Sequence, residues 1–156
     1  MPKILFVCTG NVYRSPLAAA FFVRKLKENK KRKGWVVGSA GTWTVSGRSV
    51  PQEVQLAAKK FDLDLKDHTT YMLDANLLAD QNLILVMERG HKEALSYEFP
   101  PARNKVYLLA EVVDGEIIDI PDPLKSGQAI DELAADISKL IDRGYLKIIQ
   151  LAKELQ

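Results

Sequence analysis

Residues 4–16 read Ile-Leu-Phe-Val-Cys-Thr-Gly-Asn-Val-Tyr-Arg-Ser-Pro, a strand, a turn and the start of a helix in thirteen residues. Ile4–Val7 is an apolar run of strand type, Gly10 and Asn11 mark a tight turn, and Leu17-Ala18-Ala19-Ala20-Phe21-Phe22 continues as helix. A strand that empties through a tight turn into a helix leaves successive backbone N–H groups facing one concavity, with the positive end of the helix behind them. With Gly10 at the sharp part of the turn, Thr9, Gly10, Asn11, Val12, Tyr13, Arg14 and Ser15 are predicted to form a cradle for a phosphate-sized dianion.

Two side chains add chemistry to the cradle. Cys8 ends the strand and Arg14 begins the helix, so both can face one tetrahedral anion from opposite sides. The guanidinium can grip two oxygens at once. The helix dipole, the N–H nest and the arginine all favour thiolate over thiol, which makes an activated nucleophile. Ser15 can donate its hydroxyl to the sulfur, and Asn11 is a residue type that tolerates a left-handed backbone or pins a turn by local bonding. A lone Cys at a strand end is more often a small buried hydrophobe. The density of Cys-Thr-Gly-Asn-Val-Tyr-Arg-Ser-Pro between strand and helix favours the reactive reading.

On these residues the chain resembles the low-molecular-weight protein tyrosine phosphatases of bacterial type, whose loop reads Cys-x5-Arg-Ser at the N-terminus of a chain of about this length. The resemblance implies a metal-independent, cofactor-free phosphomonoester hydrolase that passes through a phosphocysteine, with Cys8, Arg14 and Asp122 catalytic. Taken alone, Pro121-Asp122-Pro123 is a turn. The family has an Asp-Pro pair here, shortly before its last helix, so Asp122 becomes the expected general acid, its flanking prolines keeping the loop out of helix and sheet. Asp114 and Asp119 compete for that role, but neither is followed by Pro.

The same resemblance implies supporting roles elsewhere. Ser39, in Ser39-Ala40-Gly41-Thr42, reads alone as a strand-end turn residue; the resemblance makes it a support of the phosphate loop. His68 is implied to buttress that loop through Asn11, and Glu88 to have a structural duty. Trp43 is either a wall of the cleft that stacks on an aromatic substrate or a packing residue. Leu124 stands where relatives carry a cleft-lining aromatic, and Thr70-Tyr71 departs from a small residue followed by Arg. Tyr13 stands where many relatives hold a second, protective Cys, so oxidation of Cys8 is expected to run on to irreversible states. A phosphoarginine-hydrolysing branch carries Thr at the position of Val12; the aliphatic residue here resembles the tyrosine phosphatases.

The chain has 156 residues, 47% hydrophobic and 27% charged, which suits a single domain over residues 1–156. Apolar runs alternate with helical periods, predicting an α/β fold: a three-layer α/β/α sandwich on a small, about four-stranded open parallel sheet. Strands are expected at 3–8, 35–40, 82–87 and 105–108, helices at 51–61 (with Ser49 as N-cap) and 89–97, and a last helix near 128–155. Lys25–Lys33 reads as the solvated end of the first helix, closed by Gly34.

A net charge of +2 gives no case for nucleic-acid binding, and no run approaches a membrane span. One Cys excludes a disulfide framework and a Cys-rich metal site, and a reducing cytoplasm suits a reactive thiol. The expected partners are a phosphotyrosine-containing protein as substrate and inorganic phosphate as product and competitive inhibitor. The chain is expected to be a monomer or weak dimer. Arsenate reduction needs further cysteines. A non-catalytic phosphate-binding module predicts anion binding without turnover.

Overall fold

Ile4–Val7 form the middle of strand β1, Lys3–Cys8, in a computed structural model that describes residues 1–156. Three further strands, β2 (Val36–Gly41), β3 (Leu83–Val86) and β4 (Val106–Leu108), lie parallel to it in the order β2-β1-β3-β4. The chain thus leaves β1 for one neighbour and later returns to its other side. The end of β1 is therefore a switch point, where open parallel sheets bind ligands. In register, Cys8 stands opposite Gly41 and Val7 opposite Val86.

The side-chain alternation of β1 divides the core. Ile4, Phe6 and Cys8 face helices α1 (Arg14–Glu28) and α7 (Ile130–Glu154), where Phe22 lies against Phe6, Trp35 and Tyr145. Leu5 and Val7 face the opposite layer with Ile84, Val86, Leu78 of α3 (Ala75–Ala79) and Leu95 of α4 (Arg89–Glu98). β3 is buried throughout, as a strand covered on both faces must be. Helices α2 (Gln52–Lys59), α5 (Leu109–Asp114) and α6 (Pro123–Ser126) complete the layers. No helix is long and apolar enough to cross a membrane.

Several local expectations are corrected. α1 ends at Glu28 with Asn29 as its cap, and Gly34 closes a separate 3-10 turn, Arg32–Gly34, because Lys30 turns left-handed at φ 58°. Ser49 does not cap α2; Pro51 occupies that position without a side-chain bond, and Ser49 instead bridges to Thr69. Pro123 does not keep its segment out of helix. It opens α6, as Pro at the first helical position can, with Asp122 as the cap. The short α3 escapes a periodicity reading because it spans little more than one turn; Asp74 caps it by accepting from Leu77 N–H at 2.7 Å.

α7 approaches α5 closely at Gly144, where an added methyl would overlap the Val113 side chain. Gly144→Ala is therefore expected to lower stability by about 1–3 kcal/mol despite the better helix propensity of Ala. Thermal unfolding of Gly144→Ala with and without Val113→Ala checks this: the second substitution should recover part of the loss.

Candidate active site

The loop between β1 and α1 is held by one amide. Asn11, fully buried, adopts φ 59°, so the left-handed residue of the turn is Asn11 rather than Gly10. Its Oδ1 accepts from the Tyr71 backbone N–H at 3.0 Å, which fixes the orientation of the amide. Nδ2 then donates to Ser15 Oγ at 2.8 Å and to Ser39 Oγ at 2.9 Å. Ser15 Oγ, which receives that bond, is also hydrogen-bonded to Cys8 Sγ, 3.0 Å away, and its hydroxyl can donate to the sulfur.

The turn is clamped from the segment after β2 as well. Thr42 N–H donates to Cys8 O and Trp43 N–H to Thr9 O, each at 3.0 Å. That close approach requires a glycine at Gly41, where a Cβ would lie 2.6 Å from Thr9 O. His68 Nε2–H donates to Asn11 O at 3.0 Å. Burial lowers the basicity of His68 and the Asn11 bond opposes the shift, so the ring sits as a neutral donor.

Arg14 is only 2% exposed. Its Nη1 donates to Glu88 Oε2 at 2.7 Å and to Ile120 O at 2.8 Å, a charge-assisted pair that compensates the buried cation. Nη2 lies 3.5 Å from Thr9 Oγ1 and 4.0 Å from Asp122 Oδ2. With one nitrogen committed to the protein, the rest of the guanidinium edge faces the cavity. Asp122 is oriented by its capping role, its Oδ1 accepting from Leu124 N–H at 2.9 Å. Cys8, Thr9, Gly10, Val12, Tyr13, Arg14, Asp122 and Leu124 line one cavity of about 120 Å³. A thiol, a guanidinium and a carboxylate from segments far apart in the chain converge there.

Trp43 is 82% exposed and so is not a packing residue; it lines a groove of about 550 Å³ with Val45, Arg48 and Met72 that shares Gly10 and Val12 with the smaller cavity. Leu124 is 74% exposed at the mouth. A larger cavity, about 630 Å³, lies behind the loop between α1 and β2; it holds Ser39 and His68 but neither Cys8, Arg14 nor Asp122. The competing acids are tied elsewhere, Asp119 to Arg89 and Asp114 to Arg143.

A family model, low molecular weight phosphotyrosine protein phosphatase, matches residues 3–156. The chain belongs to that family. The protein-arginine-phosphatase of Geobacillus stearothermophilus is 34% identical over 155 residues, 99% of this chain and 96% of its own. A solved arginine phosphatase structure from the same organism has a TM-score of 0.84 at 31% identity, covering 99% of this chain and 97% of that one. A putative low molecular weight protein-tyrosine-phosphatase of Klebsiella pneumoniae is 32% identical over 143 residues, 92% of either chain. A solved arginine phosphatase mutant with serine in place of cysteine, carrying a phosphorylated active-site serine, has a TM-score of 0.83 at 29% identity over 99% of both chains.

This phosphatase is cysteine-dependent, and it contains one cysteine, Cys8. Sequence reasoning missed two groups at its centre. His91 binds Thr9 Oγ1, and the Ile120 carbonyl binds Arg14. Neither carries a local signal: His91 follows Glu88 by one helical turn, and a carbonyl has no sequence signature.

Asn11→Ala would lose three side-chain bonds and force Ala into a left-handed backbone, an expected loss of about 2–4 kcal/mol. Chemical denaturation would measure it, alongside reduced turnover in the folded fraction. His91 is also pushed down, to about 4, by burial first and then by Arg14, against the pull of Glu88, Asp119 and Asp122. Since both histidines ionise less readily folded than unfolded, the unfolded chain takes up protons first. Their stabilisation is complete above the ordinary histidine value of 6.5 and is lost as pH falls toward His91's value of about 4. Melting temperatures between those limits should fall with pH, less steeply in His68→Gln and His91→Gln.

Proposed function

We propose that the protein is a protein tyrosine phosphatase in which Cys8 is the nucleophile, Arg14 and the loop N–H groups hold the phosphoryl oxygens, and Asp122 is the general acid. The observation that carries the reading is the Asn11–Ser15–Cys8 chain of hydrogen bonds, which ends on a sulfur in the same cavity as Arg14 and Asp122. Cys8 Sγ attacks phosphorus, the P–O bond breaks, and protonated Asp122 gives its proton to the leaving phenoxide. Water then attacks the phosphocysteine as Asp122 takes its proton, the S–P bond breaks, and the Ser15 hydroxyl receives the departing thiolate. Arg14 and the amides are fixed before charge develops on the equatorial oxygens, so they need no reorganisation. Inorganic phosphate, the product, would occupy the same cradle and compete.

Phosphotyrosine is favoured as substrate by the apolar entrance. Val12 is shared by the phosphate cavity and the Trp43 groove, and Tyr13 and Leu124 stand at the mouth. An aromatic ring packs on such side chains, whereas a guanidine leaving group would bring N–H donors against methyl groups that cannot accept them. Phosphoarginine is the second reading, supported by the 34% identity to the Geobacillus stearothermophilus arginine phosphatase. A reactive thiol with no neighbouring Cys to protect it suits a reducing cytoplasm.

Metal-free hydrolysis of para-nitrophenyl phosphate tests the chemistry. Cys8→Ser should abolish turnover. Asp122→Ala should lower kcat by about a hundredfold or more, and further for poorer leaving groups. Matched phosphotyrosine and phosphoarginine peptides test the substrate: kcat/KM should favour phosphotyrosine by at least about tenfold. A preference for phosphoarginine would replace the first reading with the second.

A further inference from the structure

His91 takes no part in the mechanism above, yet it is 6% exposed and both of its ring nitrogens are engaged beside the catalytic loop. Nδ1 accepts from the Glu88 backbone N–H at 3.1 Å. A neutral imidazole carries one N–H, so the proton must be on Nε2. Nε2–H therefore donates to Thr9 Oγ1 at 2.8 Å, and Arg14 Nη2 approaches the same oxygen at 3.5 Å. With both lone-pair directions of Thr9 Oγ1 facing donors, its hydroxyl proton is turned toward the cavity that Thr9 shares with Cys8, Arg14 and Asp122.

Glu88 links the two halves of this arrangement. Its carboxylate holds Arg14 at 2.7 Å and lies 3.4 Å from His91 Nε2, while its backbone N–H sets the tautomer of His91. One residue at the start of α4 thereby positions both the guanidinium and the imidazole. The charged groups around His91 are Glu88 at the start of its own helix, Arg14 from α1, and Asp119 and Asp122 from the acid-bearing loop. Protonation of Nδ1 would set an N–H against the Glu88 N–H, so the arrangement requires the neutral ring.

We propose that His91 is a positioning residue that aims the Thr9 hydroxyl at the transferring phosphoryl group, making Thr9 a side-chain donor to its equatorial oxygens. The inference rests on the phosphatase reading given above. Its energetic logic is preorganisation: a hydroxyl already turned toward the developing charge stabilises the transition state more than one that must rotate into place.

A double-mutant cycle on para-nitrophenyl phosphate hydrolysis tests it, with melting temperature as the control for folding. Thr9→Val and His91→Ala should each lower kcat by about tenfold with little change in KM, and the double variant should be no worse than either single one. His91→Gln, which keeps a donor within reach of Thr9, should recover most of the loss.

Full kcat in Thr9→Val overturns the proposal, as does a double variant whose loss is the product of the two single losses. If His91→Ala does not fold, the cycle is run with His91→Leu, and Thr9→Val alone still decides whether the hydroxyl matters. Failure of the phosphatase reading looks different: wild type would then show no Cys8-dependent turnover at all.

Discussion

The site depends on the direction of one side-chain amide. The Tyr71 N–H binds Asn11 Oδ1, so the NH2 group must face Ser15 and Ser39, and Ser15 Oγ in turn is bonded to the Cys8 sulfur. The orientation of the amide thereby decides which hydroxyls it can reach. A buried polar chain of this kind is costly when incomplete, because each unpaired member loses its hydration without compensation. That explains why the loop is fixed from four directions: the segment after β2 through Thr42 and Trp43 N–H, His68 from the segment before α3, Tyr71 beside it, and Glu88 behind Arg14.

Arg14 illustrates how a buried cation is held in place. Glu88 and the Ile120 carbonyl satisfy one nitrogen and hold the guanidinium plane in place. The Ile120 bond also ties the arginine to the segment that carries Asp122, and the Ile120 N–H in turn binds Met87 O at the end of β3. Arg14 and the loop that carries Asp122 are thus parts of one hydrogen-bonded frame, and displacement of either disturbs the other.

What the sequence made legible was what is local. Cys8, Arg14 and Ser15 lie within one turn whose geometry follows from strand, turn and helix, and β1 to β4 begin and end within a residue of their expected positions. Asp122 needed the family resemblance, since Pro-Asp-Pro alone is a turn; the structure also makes it the cap of α6. The Glu88–His91–Thr9 arrangement depends on α4 meeting the loop across the sheet, so no spacing announces it. The misreadings were of punctuation. Gly34 and Ser49 are residues of the right type at nearly the right place, but a left-handed Lys30 and a capping Pro51 had already ended or begun the helix.

The strand order has a consequence for biosynthesis. Because β1 is central in the sheet but precedes the other strands in sequence, Cys8 leaves the ribosome before β3, Asp122 and the covering helix α7. Until those segments are made, the nascent chain carries this thiol without the frame that surrounds it. Assembly of the site therefore waits on segments made after β1, which spares the growing chain premature chemistry.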